Sequence, residues 1–337
     1  MNILFFSYTF SPDIGGIESI SSMLAAYFFE HGHEVRLITS TQNTNPSLFP
    51  YKIINAPGTR AIINELKWAG IVFENNPCFS LSYPNFLLRK PTVIGLQTWL
   101  QELDGTVGLR QNAKKLMLTS ASKVIACSRA VQQTFKKAIV IPNPYNDVLF
   151  KYNPLIQKTR DFIFLGRLVS DKGPGLAIQA YAEVVKAHPA VSLTIVGSGE
   201  DLPALTALAN ELGLRHKIEF KGALEGEPLV NCLNEHKYLL VPSIWKEPFG
   251  IVALEGMACG CIPVVSDGGG LPEAIGGYGL IFERGNAAAL TKAMLQLLEK
   301  TPQIDVAGTG AQQHLKAHSV EAIARQYLSV FESVANA

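Results

Sequence analysis

Ten short apolar runs rich in β-branched and aromatic residues alternate along the chain with amphipathic stretches, and this alternation restricts the fold more than any other feature. The runs are Ile3–Ser7, Glu34–Thr39, Thr92–Gly95, Lys123–Cys127 and Ile139–Ile141, then Phe162–Leu165, Ser192–Val196, Lys217–Phe220, Tyr238–Val241 and Ile262–Ser266. Strands that alternate with helices form parallel sheets with helices on both faces, so the expected class is α/β, built of doubly wound, Rossmann-like domains. After the first run, Ile17, Ile20, Leu24, Tyr27 and Phe28 share one helical face, and Gly32 stands where a C-terminal cap belongs. The segment Asn143–Arg160 is rich in Pro, Asn and Lys and lacks periodicity, which places a linker between the two series.

A length of 337 residues with 47% hydrophobic content suits two buried cores. The expected organisation is a first domain over 1–150, a second over 151–317, and a C-terminal helix over 318–337 packing back toward the first. Ligands of such sheets bind beyond the strand C-terminal ends, so the expected site lies in a cleft that the two domains face. Lys and Arg total 29 against 28 Asp and Glu, which leaves no overall field to attract nucleic acid. The first 150 residues hold 13 basic and 9 acidic side chains, the remainder 16 and 19. The mild basic excess, with Lys114-Lys115 and Lys136-Lys137, hints at an acceptor presented at a membrane surface, although solvated helix faces explain it as well.

The opening residues lack a basic n-region, and no apolar run approaches the ~18 residues of a membrane span, so the expectation is a cytoplasmic chain, at most peripheral at the inner face of a membrane. Five cysteines without a Cys-x-x-Cys pair read as core thiols. Seven histidines without metal-ligand spacing and the lack of any Asp-x-Asp imply no cofactor metal. Oligomeric state leaves no trace in the sequence.

The string Trp245-Lys246-Glu247-Pro248-Phe249-Gly250-Ile251-Val252-Ala253-Leu254-Glu255 carries the chemistry. Pro248 disfavours helix at Glu247, which puts that carboxylate on an extended loop, while Glu255 falls inside the helix that follows. Between them the N–H groups of Gly250, Ile251 and Val252, at the positive end of the helix dipole, suit a diphosphate. At 1.5 Å per residue Glu255 lies ~6 Å along the axis, about the reach from a β-phosphate to a ribose. One carboxylate can then take sugar hydroxyls and the other ribose hydroxyls; an ordinary helix start with two solvated glutamates is the alternative.

With its Glu-x7-Glu pair at Glu247 and Glu255, the chain resembles the retaining glycosyltransferases of family 4, which have the two-domain GT-B fold, and the likeness covers nearly the full length. The resemblance implies that Glu247 contacts the transferred hexose, that Glu255 contacts the ribose, and that Phe249, Gly250, Ile251 and Val252 line the donor. Gly166-Arg167 with Lys172-Gly173 looks like the family's Gly-Arg…Lys-Gly segment, in which Arg167 and Lys172 face a leaving diphosphate whose charge grows in the transition state. Gly15 and Gly16 correspond to the first-domain loop that meets the donor. Ala223 and Leu224 fall where related enzymes present backbone to the base, and Gly269 to Glu273 resembles the family's Gly-Gly-x-Pro-Glu. The turn Val196-Gly197-Ser198-Gly199 lacks the third glycine of a dinucleotide fingerprint, because Leu202 takes that place.

One departure stands out. Gln97 occupies the place where family members usually have a histidine, and glutamine can bond a sugar hydroxyl or phosphate but cannot titrate near neutral pH. The activity implied is metal-independent, retaining transfer of a hexose-type sugar from a nucleoside diphosphate to a saccharide or lipid-linked acceptor, in polysaccharide, lipopolysaccharide or glycolipid synthesis. A nucleotide-sugar epimerase and a non-catalytic sugar-nucleotide-binding module are the rival readings. The loops Gln42–Tyr51 and Asn75–Pro84 are expected to read the acceptor.

Overall fold

A computed structural model describes residues 1–13, 15–42, 44–100, 109–299 and 304–336, and among these the side chains of 109–113 are left aside. Ile14 and Asn43, which fall in two of the loops singled out above, lie outside the described residues. The chain divides into Met1–Pro144 with His318–Ala337 as one unit and Tyr145–Ala317 as the other. The division falls between 144 and 145, and Tyr145 and Phe150 just after it are buried.

Unit 1 is built on seven strands: β1 (Asn2–Phe6), β2 (Glu34–Thr39), β3 (Lys52–Asn55), β4 (Ile71–Asn75), β5 (Thr92–Leu96), β6 (Lys123–Ala126) and β7 (Ile139–Val140). Their order is β3-β2-β1-β4-β5-β6-β7, and every pairing is parallel. One sheet face buries Leu4, Phe6, Ile38 and Val72 against Ile62 and Leu66 of the helix Thr59–Trp68. On the other face an aromatic cluster joins Phe5 and Phe73 to Tyr327 and Phe331 of the helix Val320–Ala335, with Phe331 also meeting Phe28 at 5.4 Å. That last helix starts cleanly because the Ser319 hydroxyl accepts from Ala322 N at 3.2 Å.

Unit 2 repeats the plan with β8 (Arg160–Leu165), β9 (Leu193–Val196), β10 (Ile218–Gly222), β11 (His236–Val241), β12 (Ile262–Ser266) and β13 (Leu280–Phe282). The order β10-β9-β8-β11-β12-β13 is again all parallel. Its core packs Phe162, Phe164, Leu193, Ile195, Leu240 and Val264 against the helices Pro174–Ala187 and Ala287–Glu299. All five cysteines are buried and in no disulfide, as their reading as core residues expects.

In both sheets the strand order reverses beside the first strand, between β1 and β4 and between β8 and β11. Connections leaving two such strands run to opposite sides, which opens a crevice beyond their C-terminal ends where ligands of open α/β sheets bind. The loops that follow β8 and β11 hold the Arg167–Lys172 and Trp245–Phe249 segments, so the topology alone brings the two motifs together. No described helix is long and apolar enough to cross a membrane.

Candidate active site

Beyond the ends of β8, β11 and β12, three loops of unit 2 are stitched into one another. The Asp171 carbonyl accepts from Ile244 N at 2.8 Å and from Trp245 N at 3.0 Å, tying the first loop to the second. Glu247 is extended, as its position before Pro248 requires, and bridges Gly269, with Gly270 N donating to the Glu247 carbonyl at 2.8 Å. Glycines permit this closeness. A Cβ on Gly173 would overlap the Pro242 carbonyl, and one on Gly269 the Glu247 carbonyl, and both residues have left-handed φ, +74° and +71°. The turn Val196–Gly199 braces the first loop from below, with Leu168 N donating to Ser198 O at 2.8 Å.

This scaffold sets Lys172 and Glu247, far apart in sequence, into direct contact, with Lys172 Nζ 2.6 Å from Glu247 Oε1. The Ser243 hydroxyl donates to the same oxygen at 2.7 Å. Glu247 is 9% exposed and Ser243 1%. Both named hydrogen bonds go to Oε1, which leaves Oε2 as the acceptor for a ligand. The Lys172 ammonium also sits 5.3 Å from the centre of the Trp245 ring, which is half-buried and walls the lysine without closing over it. Arg167 is exposed and makes no hydrogen bond or ion pair among the described residues, so its guanidinium fork is free for an anion.

The helix Ile251–Ala258 begins at Gly250, whose φ of +108° bends the chain into it, and its first N–H groups have no intrahelical partner. Glu255 lies on this helix. Glu255 is half-buried, and burial pushes its carboxyl from 4.5 up to about 7. Among the described residues its carboxylate makes no hydrogen bond. Phe249 is 2% exposed and packs as a core residue, so only its backbone can face a ligand. Ala223 and Leu224 follow β10 in an open loop reached through Gly222, φ +69°.

In unit 1, Gly15 is the extended N-cap of the helix Gly16–Glu30, and its carbonyl accepts from Ser19 N. Thr9 Oγ1 donates to the Glu18 carboxylate and so holds the loop after β1. Gln97 follows β5, is 6% exposed, and neither atom of its side-chain amide has a hydrogen bond of good geometry, although the equally buried Tyr327 hydroxyl adjoins it. The loops assigned to acceptor reading include regular elements: Asn75 belongs to β4, Phe79–Ser82 forms a helical turn, and Pro46–Leu48 a 3-10 turn. A cavity of about 630 Å³ in this unit opens near the N-terminal ends of β5 and β6, beside Thr92, Lys123 and Arg89. Since ligand sites of such sheets lie beyond the opposite strand ends, the cavity is a separate feature. Ser243 and its neighbour Ser266 escaped the sequence reading, because a lone serine after a strand carries no pattern.

Residues 147–314 match the family model for glycosyl transferases group 1. A D-inositol 3-phosphate glycosyltransferase of Corynebacterium jeikeium is 31% identical over 186 residues, covering 52% of this chain and 44% of that protein. An uncharacterized glycosyltransferase of Methanocaldococcus jannaschii is 42% identical over 113 residues, 34% of this chain and 28% of the other. Each match thus spans less than half of the curated relative's length. Among solved structures, Anabaena HepE in complex with UDP and glucose superposes with a TM-score of 0.83 at 21% identity, covering 99% of this chain and all of the other. Sucrose-phosphate synthase from Thermosynechococcus elongatus gives 0.80 at 20% identity, covering 99% and 98%. These likenesses show the fold, which is GT-B.

Proposed function

We propose that this chain is a retaining hexosyltransferase that moves a sugar from a nucleoside diphosphate to a saccharide or lipid-linked acceptor. The observation that carries the reading is the Lys172–Glu247 pair at the switch point of unit 2, a cation and a half-committed carboxylate four residues ahead of the helix that starts at Ile251 and carries Glu255. In this reading Arg167, Lys172 and the N–H groups of Gly250, Ile251 and Val252 hold the diphosphate, and they stabilise the negative charge that grows on it as the bond to the sugar breaks. Charge compensation of this kind comes from the chain's own groups, so no metal is assigned a role. Glu247 Oε2 accepts sugar hydroxyls and fixes the ring, and Glu255 accepts the ribose hydroxyls. The acceptor hydroxyl attacks the anomeric carbon on the face the phosphate leaves, and its proton passes to the departing phosphate oxygen.

Sugar transfer, epimerisation and simple binding separate in one assay. Incubated with UDP-, GDP- and ADP-sugars, the protein is expected to release free nucleoside diphosphate only when an acceptor is present, and the product keeps the donor's anomeric configuration. Donor isomerisation without acceptor would indicate an epimerase. A panel in which no nucleotide at millimolar concentration raised the melting temperature would overturn the reading altogether.

Glu255 adds a pH signature. With its carboxyl near 7 in the free protein, ionisation rises about 10-fold between pH 6 and pH 8. Ribose hydroxyls donate more strongly to the carboxylate than to the protonated acid, so nucleotide-sugar affinity should tighten by up to about 10-fold over that window. The dependence should vanish in Glu255→Gln. An unchanged pH profile in that variant would remove Glu255 from the donor site.

A further inference from the structure

Glu247 Oε1 has two donors of different character. Lys172 Nζ, at 2.6 Å, is the end of a long, flexible side chain on the β8 loop. Ser243 Oγ, at 2.7 Å, is the end of a short side chain that is 1% exposed. Its own backbone is held in turn, since the Ser266 hydroxyl at the end of β12 donates to the Ser243 carbonyl at 2.8 Å, and Ser266 is completely buried. The chain Ser266, Ser243, Glu247 thus runs from the ends of two central strands to the carboxylate through groups with almost no room to move.

The two donors must behave differently when a donor substrate arrives. An ammonium beside a diphosphate is drawn to the larger negative charge, and Lys172 is the cation assigned to that diphosphate. As it turns to the phosphate, the carboxylate loses its ion-pair partner and would be free to rotate. We infer that Ser243 is the positioning residue that keeps Glu247 in its sugar-facing rotamer once Lys172 has moved to the diphosphate. It touches neither substrate nor reacting atoms and works only through Glu247 Oε1, leaving Oε2 for the sugar. The inference rests on the assignment of Glu247 as the carboxylate that orients the sugar.

The test compares Ser243→Ala, Ser243→Thr and Glu247→Gln in the full chain. A hydrogen bond to a charged group is worth about 10- to 100-fold in an equilibrium or rate. Ser243→Ala should lower kcat by that factor, while the KM for the sugar nucleotide, the affinity for free nucleoside diphosphate and the melting temperature stay near the parental values. Ser243→Thr, which keeps the hydroxyl, should recover most of the loss. Three outcomes overturn the proposal. Parental turnover in Ser243→Ala alongside a slow Glu247→Gln would refute the role of Ser243 and leave that of Glu247 intact. Parental turnover in both would reject the assignment of Glu247 and the proposal with it. A parallel fall of nucleotide affinity, melting temperature and rate in Ser243→Ala would mean that the hydroxyl only holds the loop together.

Discussion

Glu247→Ala should slow sugar transfer by on the order of 10²- to 10³-fold, the usual cost of losing one preorganised contact to a transition state. The loss should fall on kcat, because the diphosphate and ribose contacts assigned to Arg167, Lys172 and Glu255 remain. Lys172→Ala should cost at least about 10²-fold, and here the loss should be shared between kcat and KM, since the lysine faces a charge already present in the bound donor. The two side chains are joined at 2.6 Å, but Lys172 is expected to leave Glu247 for the diphosphate, so in the reacting complex they act apart and their effects on kcat should add: the double variant should be slowed by about the product of the single losses. Steady-state rates with a sugar nucleotide and acceptor decide the matter. Either single variant working at the parental rate would exclude that residue from the reaction.

Gly269→Ala should be the most damaging change that removes no chemical group. The added Cβ would overlap the Glu247 carbonyl oxygen, a backbone atom, and φ is +71°. Neither the strain nor the overlap can be relieved without moving Glu247, whose carbonyl also accepts from Gly270 N. The expected result is a loss of stability on the order of 3 kcal/mol or more together with loss of transfer. Gly285→Ala is the control. Its φ is +75°, but nothing lies within 4 Å of the new Cβ, so only the backbone cost of about 1–2 kcal/mol applies and activity should persist. Equal melting temperatures for the two variants would mean that the Glu247 loop yields more easily than its packing implies.

The strands that sequence periodicity revealed are mostly those with uninterrupted apolar runs. Ile71–Asn75 is a central strand, yet its last two residues are Glu74 and Asn75, buried polar groups that shorten the apolar signal to three residues. Burial pushes the Glu74 carboxyl up to about 7, and its oxygen is committed to Cys78 N at 2.9 Å. Lys52–Asn55 is an edge strand and Leu280–Phe282 is only three residues long, so neither rises above its surroundings. At the candidate site, Glu247 and Glu255 were legible because a proline and a helix start impose local rules, and Arg167 and Lys172 through the resemblance of their segment to a family motif. The contact of Lys172 with Glu247, and the serine behind it, were not, since both depend on how the strand order of unit 2 reverses between β8 and β11.

The helix Val320–Ala335 completes the aromatic face of unit 1 although the whole of unit 2 precedes it in sequence. On a ribosome, Phe5, Phe28 and Phe73 emerge early and Tyr327 and Phe331 only after roughly 250 further residues, a delay of about 13 to 50 s at common synthesis rates. Throughout that interval the nascent sheet carries an uncovered apolar surface, while the second sheet, contiguous in the chain, can fold at once. Order of synthesis and order of folding are therefore opposed in this molecule: the half that is made first is finished last.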